Sequence, residues 1–218
     1  MLGEPVDIAS HVLHLVLGFG AAGAAIVALA VRKGGKLHRQ AGWVFVTGML
    51  IAAATAWVFM LDNPLPLAMI QATVAIYALG TAILALNPQW MWARRGEWSL
   101  LVLLGLAMLA ICAVSIRFLL AGTPFFIAPA AFFAILAYFA VLDLRYLRAD
   151  TVSRLDRTRR HALRMALAVS ETVRAPSITF ADELGLPVPA IVFGSFLLVP
   201  LIYFTFGPKA GKPAALNA

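Results

Sequence analysis

Long apolar runs and short polar breaks alternate along this chain, and the runs share a length. A helix needs about 20 apolar residues to cross the hydrocarbon core of a bilayer. Runs of that size occur at about 9–31, 42–61, 66–86, 98–121, 125–147 and 189–206. Turn-forming residues separate them: glycines at 34–35, DNPLP at 62–66, NPQ at 87–89, GTP at 122–124 and LPVP at 186–189. The pattern predicts an all-α fold, an integral membrane bundle forming a single domain over 1–218.

One stretch departs from the pattern. Residues 161–185, HALRMALAVSETVRAPSITFADELG, carry Arg164, Glu171 and Arg174, then Pro176. Each mid-membrane charge costs roughly 2.5–3.5 kcal/mol on an insertion scale, so this helix would insert poorly alone. Loop charge argues that it crosses nonetheless. Arg32, Lys33, Lys36 and Arg39 lie in the first loop, Arg94 and Arg95 in the third, and Arg145, Arg148, Arg154, Arg157, Arg159 and Arg160 in the fifth. The breaks at 62–66 and 122–124 have no Lys or Arg, and the first ten residues are acidic through Glu4 and Asp7. Positive-inside bias places the N-terminus outside and these basic loops in the cytoplasm. A crossing at 161–181 then puts the Asp182–Glu183 turn outside and the tail with Lys209 and Lys212 inside, which satisfies every loop. The expectation is seven transmembrane helices, N-terminus out and C-terminus cytoplasmic, with the sixth sheltered by the others. Trp43, Trp90, Trp92 and Trp98 fall at the inner boundary and Trp57 near the outer one, as an interfacial belt requires.

Composition agrees. The chain is 62% hydrophobic and 12% charged, with a mean hydropathy of +0.92, whereas soluble domains carry about 25% charged residues. The net charge of +7 is spread over loops between apolar runs, which excludes a nucleic-acid groove. The leader lacks Lys and Arg, and its apolar stretch from about Ile8 to Val31 exceeds the roughly 7–15 residues of a signal peptide core. It reads as a membrane helix. Cys112, the one cysteine, lies in an apolar run and reads as a small core hydrophobe.

Ionisable groups inside a membrane are expensive and therefore candidates for function. At about 100° per residue, Arg164, Glu171 and Arg174 fall within roughly 80° of one face of the sixth helix, with His161 and Thr172 beside it. Glu171 sits about 15 Å beyond the helix start. Glu171, Arg174, Arg164 and Thr172 form a polar intramembrane site, read either as a self-neutralising structural pair or as a site for a small-molecule or proton substrate. His38 and His161 each open a helix at the cytoplasmic boundary, at matching depth. Beside Arg39, Arg160 and Arg164, which can hold propionates or lipid phosphates, they suit the two ligands of a b-type haem. The plainer reading is two helix starts facing lipid head groups. His11 and His14, one turn apart near the outer end, can share a metal ion or a proton; with Gly18, Ala21, Ala22 and Ala25 they form a face directed into the bundle. Asp143, at the inner end of the fifth helix, is expected to pair with a nearby arginine. Catalytic residues are not assigned: the chain has no phosphate-binding loop, dinucleotide fingerprint, HExxH or GxSxG motif.

A histidine in the first helix, "KGGKLHRQAGWVFVTGML" opening the second and "RTRRHALRM" opening a late one together resemble the bacterial multi-pass membrane proteins grouped as domain of unknown function 2306. The matching positions are His14, His38, Arg39, Gly42, Arg160, His161, Arg164 and Met165. The resemblance implies an inner-membrane location and no particular activity. A looser likeness links the chain to transmembrane b-type cytochromes. These ligate two haems with four histidines on separate helices, whereas here the outer pair shares one helix and at most one haem is accommodated. The functional expectation is a binding, transport or accessory role centred on the sixth helix, alone or as a subunit of a larger membrane complex. The alternative is an electron carrier with haem at His38 and His161.

Overall fold

Local chemistry sets most of the helix boundaries. Ser153 accepts a hydrogen bond from the Asp156 N–H at 3.1 Å and donates to the Asp156 carboxylate at 2.6 Å. This reciprocal cap starts a helix at Arg154. Pro66 stands at the first position of another, where its missing N–H costs nothing. Gly34 takes φ +75°, a left-handed value only glycine adopts freely, and so turns the first helix into the second within a few residues.

A computed structural model describes residues 4–60 and 65–208. Among these residues every regular element is helical: α1 (Glu4–Ala30), α2 (Lys36–Phe59), α3 (Pro66–Leu86), α4 (Ala93–Leu120), α5 (Ile127–Arg148), α6 (Arg154–Thr179), α7 (Val188–Phe196) and α8 (Leu198–Phe206), with a 3₁₀ turn at Pro124–Phe126. The turn residues Asp62, Asn63 and Pro64 and the basic tail with Lys209 and Lys212 lie outside the described residues.

Several boundaries differ from the expectation. The second and fourth helices begin at Lys36 and Ala93 rather than 42 and 98, so Arg39, Arg94 and Arg95 ride on helical turns instead of in loops, and His38 is on a helix start as expected. The final run is two helices, not one. Pro200 has no N–H to give the Phe196 carbonyl, and its ring crowds that carbonyl. The chain breaks at Leu197, whose N–H reaches back three residues to Gly194 at 3.1 Å.

Among the described residues six segments are long and apolar enough to cross a bilayer: Ile8–Ala30, Lys36–Val58, Pro66–Leu86, Ala93–Leu120, Ile127–Arg148 and Val188–Phe206. Their outer faces expose large apolar side chains such as Ile26, Val102, Leu109 and Phe204. Water does not tolerate so much contiguous apolar surface. It fits a lipid bilayer and a multi-pass membrane protein. The expected span at 161–181 is helical from Arg154 to Thr179 but is not among the six apolar ones. It is instead enclosed, packed against α1, α3, α7 and α8.

Small residues let the backbones meet. Ala75, Ala78, Ala82 and Ala85 of α3, with Ala166 and Ala168 of α6, are almost wholly buried. The central core adds Leu79, Leu104, Leu136 and Leu167 from four helices. α1 and α2 form an antiparallel hairpin about Gly48, where a Cβ would lie 3.1 Å from Ala21 Cβ and 3.2 Å from the Leu17 carbonyl. Gly48→Val should therefore lower the thermal midpoint of the detergent-purified protein, at a cost of about 1–3 kcal/mol. Gly20→Val, whose Cβ would meet nothing within 4 Å, should leave that midpoint unchanged.

Candidate functional site

The polar residues of α6 occupy two levels. At the first, Asp143 of α5, 1% exposed, accepts from Arg160 Nε at 3.1 Å, from Arg164 Nη2 at 2.5 Å and from the Tyr77 hydroxyl. Arg160 Nη1 donates to Glu97 Oε1 of α4 at 2.6 Å, and Arg164 Nη2 also reaches the Phe139 carbonyl at 3.1 Å. Aromatic faces complete the cage: Arg160 lies 3.9 Å from the Tyr146 ring centre and Arg164 4.6 Å from that of Phe139. Two carboxylates offset two guanidinium groups, so the cluster is neutral while joining α3, α4, α5 and α6. The expected partner of Asp143 is thus a pair of arginines. Tyr77, Glu97 and Tyr146 were not foreseen. Glu97 had one visible signal, as the only acidic residue between Asn87 and Asp143.

The second level lies two turns further along α6, about 10 Å from Arg164. Glu171 Oε1 accepts from Arg174 Nη1 at 2.6 Å, and Arg174 Nε donates to Ser195 Oγ of α7, also at 2.6 Å. The Arg174 guanidinium lies 3.9 Å from the Phe196 ring centre and is fully buried. Glu171 and Arg174 therefore meet as expected, while the other two members of the expected site go elsewhere. Arg164 shares their face of α6 but belongs to the Asp143 cluster. Thr172 donates to its own helix at Ala168 and touches Met49 Sδ of α2 at 3.3 Å.

Histidines make a third feature, and three of them follow one rule. His14 Nδ1 bonds to the Ala52 carbonyl at 2.8 Å, His38 Nδ1 to Ala28 at 3.0 Å and His161 Nδ1 to Ala82 at 3.1 Å. A carbonyl only accepts, so each Nδ1 carries a hydrogen, and in a neutral ring the lone pair is then on Nε2. Every one of these bonds runs to a neighbouring helix. For the outer pair, His14 turns toward α2 and His11 is exposed. Among the described residues no three His, Cys, Asp or Glu side chains gather as a metal site.

His38 and His161 line one pocket of about 570 Å³ between α1, α2, α6 and α8. Ala25, Ala28, Gly42, Ala162 and Ala166 leave the space, Met165 and Phe206 add apolar wall, and Lys33 and Arg39 supply cations. Lys33 also caps α1, donating to the Ala28 and Leu29 carbonyls at 3.0 and 2.5 Å. Arg160, expected beside these histidines, is instead held by Glu97 and Asp143.

Removing one partner from a buried ion pair leaves the other charge uncompensated. Asp143→Asn should cost about 3–5 kcal/mol of stability, and Tyr77→Phe, which removes one bond to a charged group, about 1.5–3 kcal/mol. Thermal unfolding in detergent, with circular dichroism to confirm helix content, measures both.

No protein-family model matches the chain, and neither a curated protein nor a solved structure matches it.

Proposed function

We propose that this chain is an inner-membrane electron carrier that holds one b-type haem between His38 and His161. The observation that carries this reading is that both imidazoles line one pocket with Nδ1 tied to a helix carbonyl. A ligating histidine commonly donates its other ring nitrogen to a backbone carbonyl, which fixes the ring and its tautomer.

The pocket's other residues fit the same group. Its volume lies within the roughly 300–1,000 Å³ of cofactor sites. Alanines and Gly42 make room for a flat macrocycle between helices, and most of the remaining wall is apolar. Lys33 and Arg39 offer cations to acidic side groups. Bound this way, haem supplies one-electron transfer. His38 and His161 would hold the group, Lys33 and Arg39 would meet its acidic side groups, and the largely apolar lining would surround the rest.

The proposed topology has seven crossings, with α6 as the sixth, the N-terminus outside and the C-terminus cytoplasmic. Pairing of Arg160, Arg164, Glu171 and Arg174 supports a crossing by a helix too polar to insert alone. It sets the haem pocket at the cytoplasmic side, among the basic residues of the first and fifth loops. The resemblance in the second and sixth helices supports the bacterial inner membrane.

Protein purified from haem-replete cells should be red, with a Soret band and α/β bands sharpening on reduction. His38→Ala and His161→Ala should each abolish that bis-imidazole spectrum, and colourless wild-type protein would refute the reading. A reporter fused after Ala218 should be active only as a cytoplasmic fusion; a periplasmic signal would remove the α6 crossing.

A further inference from the structure

A second polar site lies on α6, ten residues and about 15 Å beyond His161, and it does not depend on the haem reading. We propose that Glu171, Arg174 and Gln71 form a buried proton-exchange site in which internal water is the ligand. Three of their atoms are buried without a hydrogen-bond partner: Glu171 Oε2, Arg174 Nη2 and Gln71 Nε2.

Helix register brings Gln71 to the right depth. His161 bonds to Ala82, and Arg164 faces the Tyr77 ring at 5.4 Å, so α3 and α6 run antiparallel. Eleven residues back along α3 is Gln71, and eleven on along α6 is Thr172, next to Glu171. Eleven residues are close to three turns, so Gln71 also shares the face of α3 that Ala82 turns toward α6.

Two prolines remove backbone donors at the same level. Pro176 cannot donate to the Thr172 carbonyl, nor Pro200 to that of Phe196. Unpartnered donors and acceptors together fit water, which supplies both. Interrupted helices beside a buried charge are also how membrane proteins build sites for coupling ions.

The chemistry is a proton transfer alone. Hydronium reaching the internal water gives its proton to Oε2; the carboxylate becomes a neutral acid, and water remains. Arg174 then keeps its charge without Glu171. It retains Ser195 Oγ, the face of Phe196 and the C-terminal end of α7, where aligned carbonyls favour a cation.

Among the described residues Arg174 is the charged group acting on Glu171. The neighbouring elements present Gln71 from α3, Phe132 from α5 and Ser195 and Phe196 from α7, and none of these ionises in the working range. His14 of α1 is bonded to Ala52, one turn beyond the Met49 that Thr172 touches.

Infrared difference spectroscopy of the detergent-purified full chain tests this. Lowering the pH should raise a protonated-carboxyl stretching band that shifts when water is replaced by D2O. The band should be lost in Glu171→Gln, a near-isosteric variant whose helix content serves as the folding control. A wild-type spectrum with no such band, or one indifferent to both pH and D2O, overturns the proposal whether or not the variant folds. Survival of the band in folded Glu171→Gln assigns it to another acid and overturns it equally.

Discussion

A charged helix sits at the centre of an apolar bundle, and the rest of the structure is arranged around neutralising it. Arg160, Arg164 and Arg174 are each met by a carboxylate at 2.5–3.1 Å and by an aromatic face. Exposing any of them to lipid would cost far more than leaving it in water. The α5 and α6 backbones stay further apart than the closely packed helix pairs, and the long arginine side chains span that gap to Asp143. Charge pairing thus ties α6 to α4 and α5 across that gap, while its direct packing is with α1, α3, α7 and α8.

Neutral pairing does not mean complete satisfaction. Arg160 Nη2 and Arg164 Nε and Nη1 remain buried without protein partners, beside the three atoms at the Glu171 level. Buried polar groups of this kind are ordinarily met by water. The interior of this bundle therefore has two polar strata separated by the packed layer of Leu167 and Ala168. The histidine pocket opens on a different side of the same helix. One polar helix in this way organises a structural lock, a buried ion pair and half of a binding pocket.

Histidine tethers perform a second, milder ordering. Each Nδ1–H crosses to a carbonyl that already serves its own helix, linking α1 to α2 twice and α3 to α6 once. These bonds cost little in apolar surroundings and set the ring orientation. A histidine read as a ligand in sequence can thus also act as a helix clamp, and at His14 the clamp is what the geometry displays.

Apolar run length and punctuation made six membrane-length helices legible from residues alone, because insertion into lipid depends on local composition. The same reasoning located the polar α6, the adjacency of Glu171 and Arg174 three residues apart, and an arginine partner for Asp143. It did not separate Arg164 from Glu171, since helical phase records a shared face but not which neighbouring helix supplies the counter-charge. Tyr77 was invisible for that reason, being distant in sequence and ordinary in local pattern, and Glu97 showed only its isolation as an acid. The break at Leu197 was written in Pro200, yet its use became apparent only when Ser195 and Phe196 were found against Arg174. Sequence by itself determined the helices and the charges that needed partners. Only tertiary packing decided the partners, because a hydrogen bond between helices depends on rotation and register that no single segment encodes.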